Sequence, residues 1–460
     1  MKRKKKKHYN YLEDSEYIKL NNSIIKNNDK LWLPKDEISY DTINTNSCFN
    51  IYNHKNNDSF KNIKNIKFIN SDKSNNKIYK CIKVELKLND YQKEIINRWF
   101  KAFIIMYNET LKYIKLRKSN NEQLILNFKT LRTYHLKEKR NEIIENSQHP
   151  KYTKDTKIKT HIIDKAIQLA CANYKSGLTN LRNGNIKHFR IRYWKITKDF
   201  YTLSIEPSYF TKSSLCYNIL GNINAFYNNE PFDLNLINTK YKSECKLNYS
   251  KIINKYELFI PEKAEVNNII KEKKQFISLD PGIRTFMTGL SNNDCIKINF
   301  NNNKIKNILF KIDKLEQIKK KNKYIRKQLF RKRLKIKYLV DELHWKTINY
   351  LINNYETIII GDMSVKSIVN NKTSNINKIT KRIATYLCFY KFKQRLKYKC
   401  ILNNCKYIEM NEKYTSKICS NCGNYNKLLE GNKIYNCEKC SITIDRDLNG
   451  SRNICLKCIK

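Results

Sequence analysis

Residues 276–282 read Phe276-Ile277-Ser278-Leu279-Asp280-Pro281-Gly282. A short, largely apolar run that ends in a carboxylate is the pattern of a buried strand, and Pro281-Gly282 then turns the chain into a second strand expected over Thr285–Leu290. An isolated carboxylate at the end of such a strand is costly to desolvate, so Asp280 needs a reason to be there. On the residues alone it is either a turn residue or one member of a group of acids that shares a cation.

Working toward the C-terminus, a basic helical region is expected over about 304–354. Leu315, Ile318, Ile325, Leu329, Ile336 and Leu339 follow steps of three and four, with Asn322 and Lys332 filling the gaps, which predicts a helical hairpin or one long packed helix. Eleven of the 21 residues from 317 to 337 are Lys or Arg, among them Lys319, Lys320, Lys323, Arg326, Lys327, Arg331 and Arg333. A charge run is ordinarily a solvated face. Almost no acid accompanies this one, and that favours contact with phosphates.

Cys419-Ser-Asn-Cys422 is followed after fourteen residues by Cys437-Glu-Lys-Cys440. Two such knuckles bring four thiolates onto one Zn²⁺, and with every position filled by cysteine the metal is structural. Scattered free cysteines would not produce the double spacing. Cys455 and Cys458 fall on a helix expected at the chain end and read as small apolar filler. Just after the second knuckle, Asp445-Arg446-Asp447-Leu448-Asn449 supplies further carboxylates at the start of that helix. Convergent carboxylates hold Mg²⁺, and a pair of such ions serves phosphodiester cleavage.

Working toward the N-terminus, short strands are expected at Phe200–Ile205, Leu215–Leu220 and Tyr256–Ile260, and a helical block covers about 90–185. The block includes a helix capped by Asn89 or Asp90 and one over His161–Leu181. Lys80–Leu88 alternates as a strand with one wet face. Residues 1–77 are Asn-, Lys- and Ser-rich with little periodicity, and they read as a basic, mostly disordered extension. The cluster at 2–7 is a nuclear address, a nucleic-acid arm, or drift toward Lys.

The whole chain has 460 residues, with 91 Lys and Arg against 42 Asp and Glu, a formal charge of +49. That excess points to a polyanion, nucleic acid, as partner, although the Lys, Asn and Ile bias of an AT-rich genome contributes part of it. Nine Gly and six Pro exclude collagen-like and mucin-like chains. No apolar run is long enough for a membrane span, so no membrane partner is expected. Fifteen cysteines, an odd and mostly scattered set, fit reduced thiols and one metal site better than a secreted disulfide scaffold. The expected location is therefore intracellular: the nucleus in a eukaryotic host, otherwise the cytoplasm.

Four segments in order carry a resemblance. Ile277-Ser-Leu-Asp280-Pro-Gly-Ile-Arg-Thr-Phe286 resembles the first RuvC motif of the TnpB and Fanzor proteins, the transposon-encoded relatives of type V CRISPR effectors. Ile358-Ile-Ile-Gly361-Asp362-Met363 lies where their second motif lies. Tyr414-Thr-Ser-Lys-Ile-Cys419-Ser-Asn-Cys422-Gly423 is similar to the start of their zinc ribbon. Asp445-Arg-Asp447-Leu-Asn449-Gly-Ser-Arg-Asn453-Ile454 is similar to their third RuvC motif. The order holds over 275–454, and the N-terminal half is similar more loosely.

The resemblance implies an α/β plus α+β chain: a β-barrel-like N-terminal domain (78–270) with a helical insertion, then an RNase H-like (RuvC) domain (271–460). A zinc ribbon at about 414–443 would be inserted into the latter. It further implies RNA-guided cleavage of double-stranded DNA, with a guide RNA from the transposon end, structural zinc and two catalytic Mg²⁺ ions. Oligomeric state is not legible.

One departure matters. Where the second motif normally has a glutamate, this chain has Gly361, and Asp362 points to the opposite face of a strand. In the Fanzor branch an acid about fifty positions later often serves instead. Glu412 fits that place, with Glu409 as the nearby competitor, so the expected metal-holding set is Asp280, Glu412 and Asp447. If no acid substitutes, the protein binds DNA through its guide without cutting it. A transposase that joins ends by itself is the third reading.

Overall fold

The computed structural model describes residues 78–196, 200–266, 272–291, 294–319, 321–369, 376–426 and 432–459, together with the backbone of 49–55. The basic cluster at 2–7 and Lys320 lie outside the described residues, as does most of the segment 1–77. Within that segment the expectation of little structure is corrected at one place. Phe49–Lys55 forms strand β1, antiparallel to residues 294–300.

The chain divides into two compact units, 77–264 and 1–76 with 265–460. In the first, strand β2 (Tyr79–Lys87) leads into helix α1 (Asp90–Ser119). Asn89 caps α1 in a reciprocal box with Gln92, 2.9 and 3.0 Å, satisfying two backbone donors that the helix start leaves open. Helices α2 (Lys137–Glu145) and α3 (Thr160–Arg182) complete the expected helical block. Trp99, Tyr107, Ile163 and Ala166 are fully buried between them, and the Trp99 indole N–H donates to the Thr156 carbonyl at 2.9 Å.

Of the further strands among the described residues, Phe210–Thr211 and Ser214–Leu215 pair only with each other, and five join β2: β3 (Phe200–Ile205), β4 (Asn224–Tyr227), β5 (Glu230–Pro231), β6 (Cys245–Ser250) and β7 (Lys255–Lys263). They form an antiparallel sheet in the order β3-β6-β7-β2-β4-β5. Its outer strands β3 and β5 do not pair, so among the described residues the sheet is open where a barrel-like closure was expected. Of the strand expected at Leu215–Leu220 only Leu215 is extended, at the end of the strand Ser214–Leu215; the rest is a short helix, Tyr217–Leu220, entered through Cys216 at φ 45° and burying Ile219 and Leu220.

The second unit is built on a six-stranded sheet. After β1 come β8 (Lys274–Pro281), β9 (Met287–Ser291), β10 (Asp294–Phe300), β11 (Tyr355–Gly361) and β12 (Lys406–Met410). The order is β1-β10-β9-β8-β11-β12, with β8, β11 and β12 parallel and the remainder antiparallel. Gly282 makes the β8–β9 turn possible: a Cβ there would lie 2.6 Å from the Thr285 carbonyl oxygen.

Helices α4 (Asn302–Glu316) and α5 (Lys323–Asn354) form the expected hairpin, packed against each other. The spacing pattern runs across 317–322, but the helix does not. The Asn322 side chain accepts the Ile325 N–H at 2.9 Å and starts α5, so Asn322 is a cap rather than a gap in a seam. Ile277, Leu279, Ile358 and Ile360 pack with Leu343, Ile348, Leu387 and Phe392 on one face of the sheet. These helical partners come from α5, α6 (Lys378–Leu387) and α7 (Phe389–Leu402). Helix α8 (Arg446–Cys458) covers the other face, where Phe276, Ile359, Ile408, Ile454, Cys455 and Cys458 form a separate cluster. Cys455 and Cys458 are thus apolar filler, as their helical setting predicts.

Candidate functional site

Successive side chains on a strand alternate faces, and that parity assembles the site. Phe276 and Ile359 lie under α8, and Ser278 is paired in register with Ile359. Two residues on, Asp280 and position 361 are therefore neighbours on the same face, at the C-terminal ends of parallel strands. Gly361 is registered with Met410 on β12, which puts Glu412, two residues past the strand end, on that face as well.

The close approach of α8 is built from small residues. The Ser278 hydroxyl donates to the Ser451 carbonyl at 2.7 Å, and the Ser451 hydroxyl to the Ser278 carbonyl at 2.6 Å. Gly450 then sits directly over the acid: a Cβ on it would lie 2.6 Å from Asp280 Oδ2.

Gly361 leaves a hole, and Glu412 fills it. A Cβ built at 361 would fall 2.4 Å from Glu412 Cγ and 2.5 Å from Cδ, and closer still to Oε1. The carboxyl of 412 thus takes the space that a side chain at 361 would occupy. Glu412 Oε1 is buried without a hydrogen-bond partner. The carboxylate does accept the Met363 backbone N–H.

Asp280 feels the charge of both other acids. Desolvation, then the charges of Glu412 and Asp447, hold the Asp280 carboxyl well above the usual carboxylate range. Desolvation raises Glu412 to about 7, with Asp362 adding to the rise and the Met363 N–H, Lys393 and Lys457 opposing it. Asp447 is raised by desolvation and then by Asp445, against Lys297, Arg446 and Arg284. Hard divalent cations take carboxylate oxygens, and an orphaned buried oxygen whose charge Asp280 feels suits one. The oxygens are splayed, however. Among the described residues only the four cysteines form a group whose ligand atoms all lie within 4.8 Å of one another.

The competing acids are otherwise engaged. Glu409 accepts from Lys393 at 2.7 Å and from the Tyr407 hydroxyl at 3.0 Å, and strand parity points it to the face opposite Met410. Asp362 accepts the Glu412 N–H at 3.0 Å and the Asn411 amide at 3.1 Å. Asp445 caps α8 through the N–H groups of Asp447 and Leu448, and its other oxygen takes Lys297 at 2.7 Å.

These shifts carry a sign that can be measured. In the ion-free protein Glu412 keeps its proton to about pH 7, whereas the unfolded chain releases it near the usual carboxylate value. Folding stability from this group is therefore lost as pH rises between those values and stays low above them. Melting at matched pH should show the natural chain losing ground to Glu412→Gln from pH 5 to pH 8. Added Mn²⁺ should recover that loss at pH 8 and not at pH 5.

The four cysteines converge as their spacing predicts. Cys419 Sγ lies 3.7 Å from Cys440 Sγ, and Cys422 Sγ 3.5 Å from Cys437 Sγ. A tetrahedron with Zn–S bonds of about 2.3 Å has S–S edges of about 3.8 Å, so the cluster fits structural zinc. Both knuckles close alike. Gly423 N–H bonds the Cys419 carbonyl and Ser441 N–H the Cys437 carbonyl, each at 2.9 Å, and both residues are left-handed, at φ 74° and 55°.

Of the expected phosphate contacts, Lys319, Lys323, Arg326, Lys327, Arg331 and Arg333 are all exposed, and Arg333 pairs with Glu316. Among the described residues no helix is long and apolar enough to cross a membrane.

Comparison with known proteins shows what the chain is similar to. The family model described as "Probable transposase", OrfB_IS605, matches residues 260–372, and "Cas12f1-like, TNB domain" matches residues 389–454. TnpB-like protein L770 of Acanthamoeba polyphaga mimivirus is 32% identical over 382 residues, 79% of this chain and 70% of its own length. The CRISPR-associated endodeoxyribonuclease Cas12f1 of Sulfoacidibacillus thermotolerans is 29% identical over 126 residues, 25% of this chain and 29% of its own length. Among solved structures, a Cas12f1–sgRNA–target DNA complex aligns at a TM-score of 0.45 with 14% identity, covering 78% of this chain and 82% of that one.

Proposed function

Because the chain belongs to the TnpB-like transposase family, we propose that it is an RNA-guided, Mg²⁺-dependent DNA endonuclease with the relocated glutamate of the Fanzor branch. The observation that carries this reading is the Glu412 carboxyl seated in the Gly361 hole, on the sheet face that Asp280 shares, with one oxygen buried and unpartnered. The strand order of the second unit supports an RNase H-like core, and the similarity to an endodeoxyribonuclease supports the reaction class.

In this reading Asp280, Glu412 and Asp447 hold two Mg²⁺ ions. Bound ions would activate water and stabilise the leaving oxygen of a phosphodiester. The chain's own part is to hold three carboxylates close enough that they repel, and to release their protons when cations arrive. The exposed Lys and Arg side chains from Lys319 to Arg333 would hold nucleic-acid phosphates.

The test begins by sequencing RNA that co-purifies with the protein, followed by incubation of the ribonucleoprotein with a plasmid matching its guide. Cutting that needs both Mg²⁺ and the match supports the proposal. Guided binding without nicking favours the cleavage-dead reading that Gly361 motivates. Joining of DNA ends without RNA would favour a stand-alone transposase.

A further inference from the structure

Glu412 is not on a strand. The β11–β12 ladder ends at the pair Gly361–Met410, with one further bond from the Asp362 N–H to the Met410 carbonyl at 2.8 Å. A ligand just beyond a strand end needs some other restraint, because unrestrained backbone samples many conformations.

We propose that Asp362 and Lys457 form a two-sided clamp that positions Glu412, and that this clamp is what allows the glutamate to serve from outside the strand. The inference rests on the metal-site reading above. Asp362 Oδ1 accepts the Glu412 N–H at 3.0 Å, so a side-chain carboxylate takes the role that a ladder carbonyl would have on a longer strand. Its Oδ2 holds the Asn411 amide at 3.1 Å. From the last turn of α8, Lys457 Nζ donates to the Asn411 carbonyl at 3.1 Å and the Lys413 carbonyl at 2.8 Å, one residue either side of the glutamate. The remaining backbone groups close locally. The Glu412 carbonyl accepts from Thr415 N–H and Oγ1 at 3.1 and 2.9 Å, and the Lys413 N–H bonds Asn411 Oδ1 at 2.8 Å.

The segment is thus held by its backbone from two elements, and the carboxyl group is left to face the hole at Gly361. Asp362 bonds the Glu412 N–H and the Asn411 side-chain amide, and Lys457 bonds two carbonyls either side of the ligand, so both act by holding its segment and are positioning residues. Partners of this kind usually change metal affinity by about 10–100-fold when removed.

The clamp matters only while the glutamate sits at 412, and this separates it from a general structural role. Gly361 has no left-handed backbone, so a glutamate can stand there once Glu412 is removed. In the doubly substituted chain Gly361→Glu/Glu412→Ala, β11 would carry the carboxylate directly.

Equilibrium Mn²⁺ binding to the zinc-loaded full chain, followed by electron paramagnetic resonance, supplies a readout independent of cleavage. Lys457→Met should weaken binding by about tenfold or more, with Lys457→Arg recovering most of the loss. In the Gly361→Glu/Glu412→Ala background the same Lys457→Met change should alter affinity by less than about twofold. Amide exchange should quicken at 411–413 and not through α8. Equal loss in both backgrounds, or no loss in the natural chain, overturns the clamp while leaving the metal site intact. If Glu412→Gln binds Mn²⁺ as tightly as the natural chain, the metal-site reading falls and the clamp falls with it. Should the exchanged chain bind no Mn²⁺, the exchange experiment decides. Quickening confined to 411–413 supports the clamp, and quickening spread through α8 overturns it.

Discussion

Glu412→Gln is expected to abolish guided DNA cleavage while RNA binding persists. Outer partners of metal ligands already cost about 10–100-fold, so loss of a direct ligand should exceed the upper end of that range. The amide keeps the volume of the carboxyl and its contact with the Met363 N–H, so folding should survive. The ion-free variant should even melt higher at neutral pH, because a buried charge has gone. Two controls sharpen the result. Glu409→Gln should cut nearly as well as the natural chain, since Glu409 lies on the opposite face, held by Lys393 and Tyr407. Gly361→Glu alone should impair cleavage, because its side chain would overlap the Glu412 carboxyl, whereas Gly361→Glu with Glu412→Ala should restore it. Plasmid nicking by the four purified variant ribonucleoproteins beside the natural one measures the cleavage, co-purified RNA the guide binding, and thermal melting the stability. Full activity in Glu412→Gln would remove 412 from the site and return attention to Asp362.

How much of this was legible beforehand differs from element to element, for physical reasons. The Phe276–Asp280 strand and the two cysteine knuckles were readable because each is a local pattern whose chemistry admits few alternatives. The candidate Glu412 was reachable only through a family resemblance. Nothing in Asn411-Glu412-Lys413 itself says that the carboxyl will fill a hole left 51 residues earlier. The clamp was invisible for the same reason: Asp362 and Lys457 meet the loop mostly through its backbone N–H and carbonyl groups, and backbone contacts leave no residue-type signature. Spacing alone left a hairpin and one long helix equally open over 304–354, because alternating steps of three and four continue across Asn322 where the chain in fact breaks between α4 and α5. Strand β1 was missed because an edge strand needs only one partner and can carry a sequence as polar as Phe49–Lys55. The barrel-like closure was an expectation of topology, and spacing along the chain does not specify which strands meet.

The zinc ribbon gives the second large effect, and it should reach the carboxylates although no cysteine touches them. Glu412 stands seven residues before Cys419 and Asp447 seven after Cys440, so the ribbon joins two of the three candidate ligands. Its own apolar support is thin: Tyr435, Ile442 and Ile444, packed with Leu290, Cys295 and Leu448. A hairpin this small depends on its metal, and structural zinc contributes on the order of 10 kcal/mol in isolated fingers. The ribbon also grips the last helix. Asn449 takes the Ser420 N–H at 2.9 Å and donates to the Ile418 carbonyl at 2.8 Å, while Asn453 donates to the carbonyls of Thr415 and Ile418, both at 2.8 Å. These bonds fix the segment after Glu412 to the helix that carries Asp447 and covers Asp280. Cys440→Ser should therefore lose zinc, expose 414–445 to protease, weaken Mn²⁺ binding at the carboxylates and stop cleavage together. Cys455→Ser, altered inside the apolar cluster beneath α8, should retain zinc and its Mn²⁺ affinity. A Cys440→Ser protein that loses zinc yet binds Mn²⁺ unchanged would show that the acids are held by the sheet and α8 alone. The asparagine bonds would then be packing detail, because the strand ends and the Ser278–Ser451 pair would suffice to set the geometry.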